Sequence, residues 1–276
     1  MIETSSSTLN ASWVVYGEGV SDDDPAELYH EASSLSPSQI GRQLPGIYLL
    51  ETNSDLKRTS TRSTKRHPHV ETIALPPGSI PDGSLASVVT ERRSIASFSD
   101  APVSLAQVGT MLHTAYGVTQ RMTIEPGTVQ TFRTIPSAGA LFPLEIYCLA
   151  FNVDGLTPAI YHFDPIRNVL ERVRDGELRA ELRNAVPMDG LVSTCPVAFV
   201  VTAMLWRSRF KYGQRGYRFA LLEAGHLTQN LLLASTALGL GSVPIGGFYD
   251  RRVADLLAID GVNEVPLYVV PVGSKP

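Results

Sequence analysis

Hydrophobic positions fall into helical register along several stretches of the chain. In Ser84–Arg92 (SLASVVTER) and Ser104–Tyr116 (SLAQVGTMLHTAY) they recur every three or four residues, which predicts two helices, the second capped by Ser104 and closed by Gly117. Tyr217–Leu238 carries the strongest helical pattern and is stopped by Gly239 and Gly241; because it is apolar nearly all round, it predicts a buried central helix. Three β-rich runs, Leu144–Val153, Val197–Trp206 and Pro266–Val272, read as strands. Upstream, Asp22-Asp23-Asp24-Pro25 places acidic residues and a proline where a helix begins, so Ala26–Ser34, with Tyr29-His30-Glu31, is a short helix. Helices and strands do not alternate strictly, which points to an α+β sandwich around the Tyr217–Leu238 helix.

The pattern breaks between Glu51 and Ser84. That stretch has almost no hydrophobic periodicity before Val70 and then a Pro/Gly cluster, so it reads as a loop or linker, with Lys57, Arg58, Arg62, Lys65 and Arg66 on a solvated surface. The expected organisation is a segment 1–80, containing the short helix and a mobile loop 51–70, followed by a compact domain 84–276. At 276 residues with 43% hydrophobic and 18% charged, the chain can bury a sizeable core and is neither disordered nor collagen-like. A net charge of −4 and a pI near 5.9 exclude a protein built chiefly to grip nucleic acid. Cys148 and Cys195 form no CxxC pair and sit among apolar residues, which makes them core thiols of a reducing compartment. Met1–Asn10 lacks a basic segment followed by an apolar one, and the run Val197–Trp206 is about half the ~20 residues a membrane span needs. A soluble, cytoplasmic protein without nucleic-acid or membrane partners is expected.

Most chemistry-bearing motifs are missing: there is no P-loop, no GxSxG, no HExxH and no GxGxxG after a strand. The histidines are scattered; His67 and His69 share a polar stretch and read as solvated, so no metal is expected. Three segments carry candidate chemistry. Arg92-Arg93-Ser94 ends a predicted helix, where two guanidiniums and a hydroxyl suit a phosphate, although arginines there also satisfy the helix dipole. Around Pro136-Ser137-Ala138-Gly139, small residues flanked by prolines let backbone N–H groups approach a flat ligand; an ordinary turn before a strand reads equally well. Trp206–Arg218 (WRSRFKYGQRGYR) gathers Arg207, Arg209, Lys211, Arg215 and Arg218 around Lys211-Tyr212. Like charge and burial favour a neutral amine, the form a base needs, whereas the plain alternative is a solvated loop.

In this order the segments resemble the SagB-type azoline dehydrogenases of the nitroreductase-like flavoprotein superfamily, over about residues 27–276. The resemblance rests on Tyr29-His30-Glu31, RRSIASF from Arg92, PSAGALFPLE from Pro136, KYGQRGYRFALLEAGHLTQNLLLASTALGLG from Lys211, PIGGFYD from Pro244 and the closing LYVVPVGSKP. It implies a homodimeric α+β nitroreductase-like fold with a central antiparallel or mixed sheet, and FMN as cofactor. Arg92, Arg93, Ser94 and Lys275 match positions that hold the phosphate and ribityl groups. Pro136, Ser137, Ala138 and Gly139 match the segment along the flavin ring, and Gly246 and Gly247 face its edge. Lys211 and Tyr212 match the Lys-Tyr pair of the azoline-oxidising members. The chain departs from the family pattern at Ala96, where a second basic residue is usual; either Arg133 replaces it or the cation is absent, which would alter the redox potential. The implied activity is oxidation of thiazoline or oxazoline rings in a precursor peptide to thiazole or oxazole, with that peptide and a cyclodehydratase as partners. Another FMN-dependent NAD(P)H oxidoreductase and a non-catalytic scaffold of a heterocyclase complex remain open.

Overall fold

The computed structural model describes residues 24–37, 41 and 44–276, and its contacts divide the chain into two units, Met1–Ile40 and Gly41–Pro276. In the first, Pro25–Ala32 forms helix α1; the Asp24 carboxylate accepts from the Ala26 N–H at 2.8 Å and Pro25 occupies the first turn. This is the helix expected at Ala26–Ser34. Met1–Asn10 and Asp22-Asp23 lie outside the described residues.

The second unit begins well before the boundary expected near residue 80. Leu44–Thr52 is helix α2 and Ser54–Ser60 helix α3, the latter capped by the Asn53 side chain, which accepts from Leu56 N at 2.8 Å. The stretch 51–70 is therefore not a mobile loop. Thr61, Ser63 and Thr64 are buried, and Lys65 donates from its backbone to Glu145 at 2.7 Å and from Nζ to Glu264 at 2.8 Å. Polar contacts rather than apolar burial fix this segment, which is why it lacks hydrophobic periodicity.

The chain continues through β1 (Thr72–Ala74), α4 (Leu85–Glu91), β2 (Val103–Ser104), α5 (Leu105–Tyr116), β3 (Val118–Glu125), β4 (Thr128–Arg133), β5 (Leu144–Ala150) and β6 (Val153–Asp154). Then come β7 (Ala159–Asp164), β8 (Val169–Asp175), α6 (Arg179–Ala185), β9 (Val197–Met204), α7 (Trp206–Tyr212), α8 (Arg215–Ala237), β10 (Leu240–Ser242), α9 (Asp250–Leu257) and β11 (Glu264–Ser274). Among the described residues, seven strands form one sheet in the order β1-β8-β7-β5-β9-β11-β10, with every neighbouring pair antiparallel. The α+β class read from the sequence is the class observed.

Both faces of the sheet are covered, so its central strands are buried along their length and mostly apolar, with Glu145, His162 and Glu171 as buried polar exceptions. On β5, Leu144, Ile146, Cys148 and Ala150 face α5 and α8, while Tyr147 and Leu149 face the layer that contains α6 and α9. Ser104 caps α5 through a reciprocal pair with Gln107, and Ser84 caps α4 through Ser87 N. Two expectations change. Helix α8 is one side of a layer rather than a fully enclosed element: Ala220, Leu227 and Leu231 are buried, but Leu221 and Leu222 are 42% and 58% exposed. The stretch Trp206–Arg218 is not a loop but α7 joined to α8, with Gly213 at φ 55° making the bend between them.

Candidate functional site

Between β4 and β5 the chain makes a tight turn, Ser137–Phe142, in which three residues take left-handed backbone angles: Gly139 (φ 65°), Ala140 (φ 52°) and Phe142 (φ 46°). For Ala and Phe that conformation is costly and persists only when the surroundings enforce it. Ser137 supplies one restraint, its Oγ accepting from Phe142 N at 2.9 Å. The Phe142 ring supplies another, packed edge-on against Tyr116 with centroids 6.1 Å apart.

Lys211 and Tyr212, at the end of α7, converge on this turn. A Cβ at Gly139 would sit 2.6 Å from Tyr212 Oη and 3.0 Å from Lys211 Nζ, so both polar atoms end beside Gly139, where the positive φ also favours glycine. Lys211 Nζ lies 5.2 Å from the centroid of the Tyr212 ring, and that ring stands edge-on to Phe219 of α8 at 5.1 Å. The structure thus brings together Ser137, Ala138 and Gly139 with Lys211 and Tyr212. The crowding of cations read from the sequence is partly dispersed: Arg207 pairs with Glu145 at 2.6 Å and Arg209 lies over Trp206 at 4.9 Å.

A second group gathers at the β10 edge of the sheet. Beyond α4, Ser94 bridges to Ser242, and Ile95 N donates to Ser242 O at 3.1 Å. Ser99 N donates to Ser274 O at 3.0 Å, so Arg92, Arg93 and Ser94 share this edge with Lys275. Arg93 Nη1 is held on the carbonyls of Thr90 (2.7 Å) and Arg92 (2.8 Å). Among the described residues no ion pair engages Arg92, Arg93 or Lys275. Three such cations and a hydroxyl fit a phosphate group. Gly246 and Gly247 follow β10 after Ile245 pairs with Val269, and a Cβ at Gly247 would meet nothing within 4 Å, which leaves room for a ligand edge.

Within the chain the two groups lie far apart. Phe219 of α8 touches Tyr212, whereas Ser235, sixteen residues along the same helix, bonds to Ser242 beside Ser94 at 2.6 Å. Sixteen residues of helix span about 24 Å. Arg133 belongs to neither surface. It is 6% exposed, stacked 4.0 Å from the Tyr116 ring centroid and 4.7 Å from that of Phe142, and bonded to Ser63. It therefore lies beneath the turn, with Nε and Nη1 buried and without hydrogen-bond partners among the described residues.

Linear spacing did not reveal two sets of buried charges. In the first, Glu145, His162 and Glu171 come from the adjacent strands β5, β7 and β8. His162 Nε2 meets Glu145 at 2.7 Å and Nδ1 meets Glu171 at 2.9 Å. Burial opposes the imidazolium, but the two carboxylates outweigh it and raise His162 to about 9. Burial likewise opposes the Glu145 carboxylate, and Arg207 with His162 overrides it and holds Glu145 at about 2. His67, His162 and Glu171 bring possible metal-ligand atoms within 4.8 Å of one another, yet both ring nitrogens of His162 already meet carboxylates. The second set is Glu223 with Tyr116. Glu223 is 3% exposed, and burial raises its carboxyl to about 7 against the opposing pull of bonds from Ser137 and Tyr116. The available signal was a glutamate on the apolar face of Tyr217–Leu238.

Comparison with known proteins places this site in context. The model of the Nitroreductase family matches residues 89–274. MJ1384 of Methanocaldococcus jannaschii, a protein assigned to the nitroreductases, is 36% identical over 191 residues, covering 69% of this chain and 91% of its own. The microcin B17-processing protein McbC of Escherichia coli is 32% identical over 150 residues, covering 52% of this chain; the match spans 54%, about half, of McbC. A chain in the solved E. coli microcin synthetase McbBCD complex with truncated pro-MccB17 bound superposes with a TM-score of 0.56 at 25% identity, over 81% of this chain and 82% of that one. No helix among the described residues is long and apolar enough to cross a membrane.

Proposed function

The chain belongs to the nitroreductase family, and from that premise we propose that it is an FMN-dependent azoline dehydrogenase, oxidising thiazoline or oxazoline rings of a precursor peptide to thiazole or oxazole. The observation that carries this reading is the convergence of Lys211 Nζ and Tyr212 Oη on the Gly139 backbone. A proton donor and a proton acceptor there face a turn whose small residues admit a flat ring. The similarity to McbC supports the substrate class, and the likeness to a chain of the McbBCD complex supports a cyclodehydratase as partner.

Arg92, Arg93, Ser94 and Lys275 would hold the FMN phosphate, and Pro136, Ser137, Ala138 and Gly139 would lie along its ring. When bound, FMN supplies the two-electron acceptor for the hydride that leaves the azoline ring. The ring carbon that was the peptide Cα bears a proton acidified by the neighbouring carbonyl and C=N. Lys211, with Tyr212 beside it, takes that proton, so the substrate loses one proton and one hydride and the ring becomes aromatic. The ~24 Å between the two groups along α8 supports a homodimer, in which the turn of one copy completes the cation edge of the other.

The test is to mix the FMN-loaded protein with a peptide already carrying azoline rings. Loss of two hydrogens per ring is expected; unchanged rings with FMN bound would refute the reading. The broad match to MJ1384 favours a second reading, an NAD(P)H-dependent FMN oxidoreductase acting on another small molecule. Rapid bleaching of the flavin by NAD(P)H without peptide would select it.

A further inference from the structure

The catalytic pair is only as well placed as the turn it touches, and that turn holds a strained backbone. Ala140 and Phe142 both sit at positive φ, so something must keep the segment from relaxing. Glu223 lies where it can do so. On α8 it stands four residues, one helical turn, beyond Phe219, so the two share a face. Phe219 meets the Tyr212 ring at 5.1 Å, and the Glu223 carboxyl is stabilised by the nearby Ser137 side chain, whose Oγ accepts from Phe142 N at 2.9 Å. Glu223 Oε1 also accepts from Tyr116 Oη at 3.1 Å, and Tyr116 Oη accepts from Leu144 N at 3.2 Å, the first residue of β5. One carboxylate therefore reaches both ends of the Ser137–Phe142 turn, on the helix face that also packs Tyr212.

We infer that Glu223 is a positioning residue: through Ser137 and Tyr116 it locks the Ser137–Phe142 turn in its strained form and so fixes Gly139 relative to Lys211 and Tyr212. The assignment of Lys211 and Tyr212 to proton transfer rests on the function proposed above; the lock itself does not. Glu223 has no direct part in the chemistry, being 3% exposed beneath the turn.

The lock is pH-dependent. The groups facing Glu223 are the Ser137 and Tyr116 hydroxyls, with Arg133 from β4 and Arg207 from α7 as the nearby cations. As a carboxylate it accepts from Tyr116 Oη at 3.1 Å and is favoured by the Ser137 hydroxyl; once protonated it loses part of that capacity and the turn loosens. Burial brings this change to about pH 7.

The experiment uses the full-length protein as wild type, Glu223→Gln and Ser137→Ala. Amide exchange of residues 137–144, corrected for intrinsic rate, is followed from pH 6 to pH 8, beside kcat and KM on an azoline peptide. In wild type, protection of 137–144 falls as pH drops through 7. Glu223→Gln removes that pH dependence and speeds exchange there about tenfold, the scale of one lost buried hydrogen bond, with β9 and β11 unchanged. Ser137→Ala has the same local effect, and in both variants kcat falls with KM retained. Exchange at 137–144 that matches wild type, or that rises equally across the sheet, overturns the inference. A wild type that leaves azolines untouched refutes the proposed activity, while the exchange data still decide whether Glu223 locks the turn.

Discussion

Two regions of this molecule are rich in charge, and they differ in whether that charge is matched. On the central strands, Glu145, His162, Glu171 and Glu264 meet Arg207, Arg167 and Lys65 in a closed network; Tyr147 Oη donates to Glu264 at 2.8 Å and Thr202 Oγ1 does the same at 2.8 Å. At the β10 edge, Arg92, Arg93 and Lys275 meet no carboxylate among the described residues. The first region is far more deeply buried and holds His162 and Glu145 far from their ordinary pKa values, yet its polar capacity is already consumed by its own members. The second lies nearer the surface and retains capacity for an anion. Perturbed titration marks sites only when the perturbed group can still reach something; the buried network holds the fold, and under the proposed function the open cations would hold the FMN phosphate.

The comparison can be broken most severely at the site. Lys211→Ala should keep the yellow flavin and lower ring oxidation by about 10²- to 10⁴-fold, the usual contribution of a positioned acid or base; loss of flavin instead would make Lys211 a binding residue. In the network, His162→Ala leaves Glu145 and Glu171 facing each other and should lower the unfolding free energy in urea by roughly 3–5 kcal/mol, with activity per folded molecule retained. A changed KM or flavin content in that variant would mean the two regions are coupled.

The next effect is one of pH. His162 is raised from its ordinary 6.5 to about 9, so its stabilisation is complete below 6.5 and disappears as pH rises through 9. Glu145 is lowered from 4.5 to about 2, so its contribution is present above 4.5 and disappears as pH falls through 2. The network is therefore strongest between about 4.5 and 6.5, and stability should fall by roughly 2–3 kcal/mol from pH 6.5 to 9. Denaturation of His162→Ala across the same range should lack that fall. Arg93→Ala should weaken FMN binding about tenfold by loss of one charge-assisted contact, with a weaker dependence on salt, measured by flavin fluorescence. The smallest effect belongs to an exposed pair within the chain: Arg58→Ala, which removes the 2.7 Å contact with Asp55, should change stability by no more than about 0.5 kcal/mol.

What the sequence made legible follows the same division. Elements with a hydrophobic period and a cap, such as α4, α5 and α8, could be read to within a residue or two, because local burial and local hydrogen bonds determine them. The Ser137–Gly139 turn and the Lys211-Tyr212 pair were legible as separate motifs, but not that Gly139 carries both side chains, since contact across seventy residues leaves no trace in spacing. The stretch 51–70 was misread because partners from distant strands fix it: Lys65 depends on Glu145 and Glu264, and Ser63 on Arg133. The network was invisible for a related reason. His162 and Glu171 are register partners on β7 and β8, a pairing that appears only once the sheet is assembled.

The most direct measurement is an anaerobic single turnover. The FMN-loaded protein is mixed with one equivalent of a peptide bearing a single thiazoline, and flavin absorbance and peptide mass are followed together. The account predicts that the flavin bleaches as the peptide loses two hydrogens, and that Lys211→Ala stays yellow with its peptide unchanged. A wild-type protein that holds FMN but stays yellow, with the thiazoline intact, would contradict it.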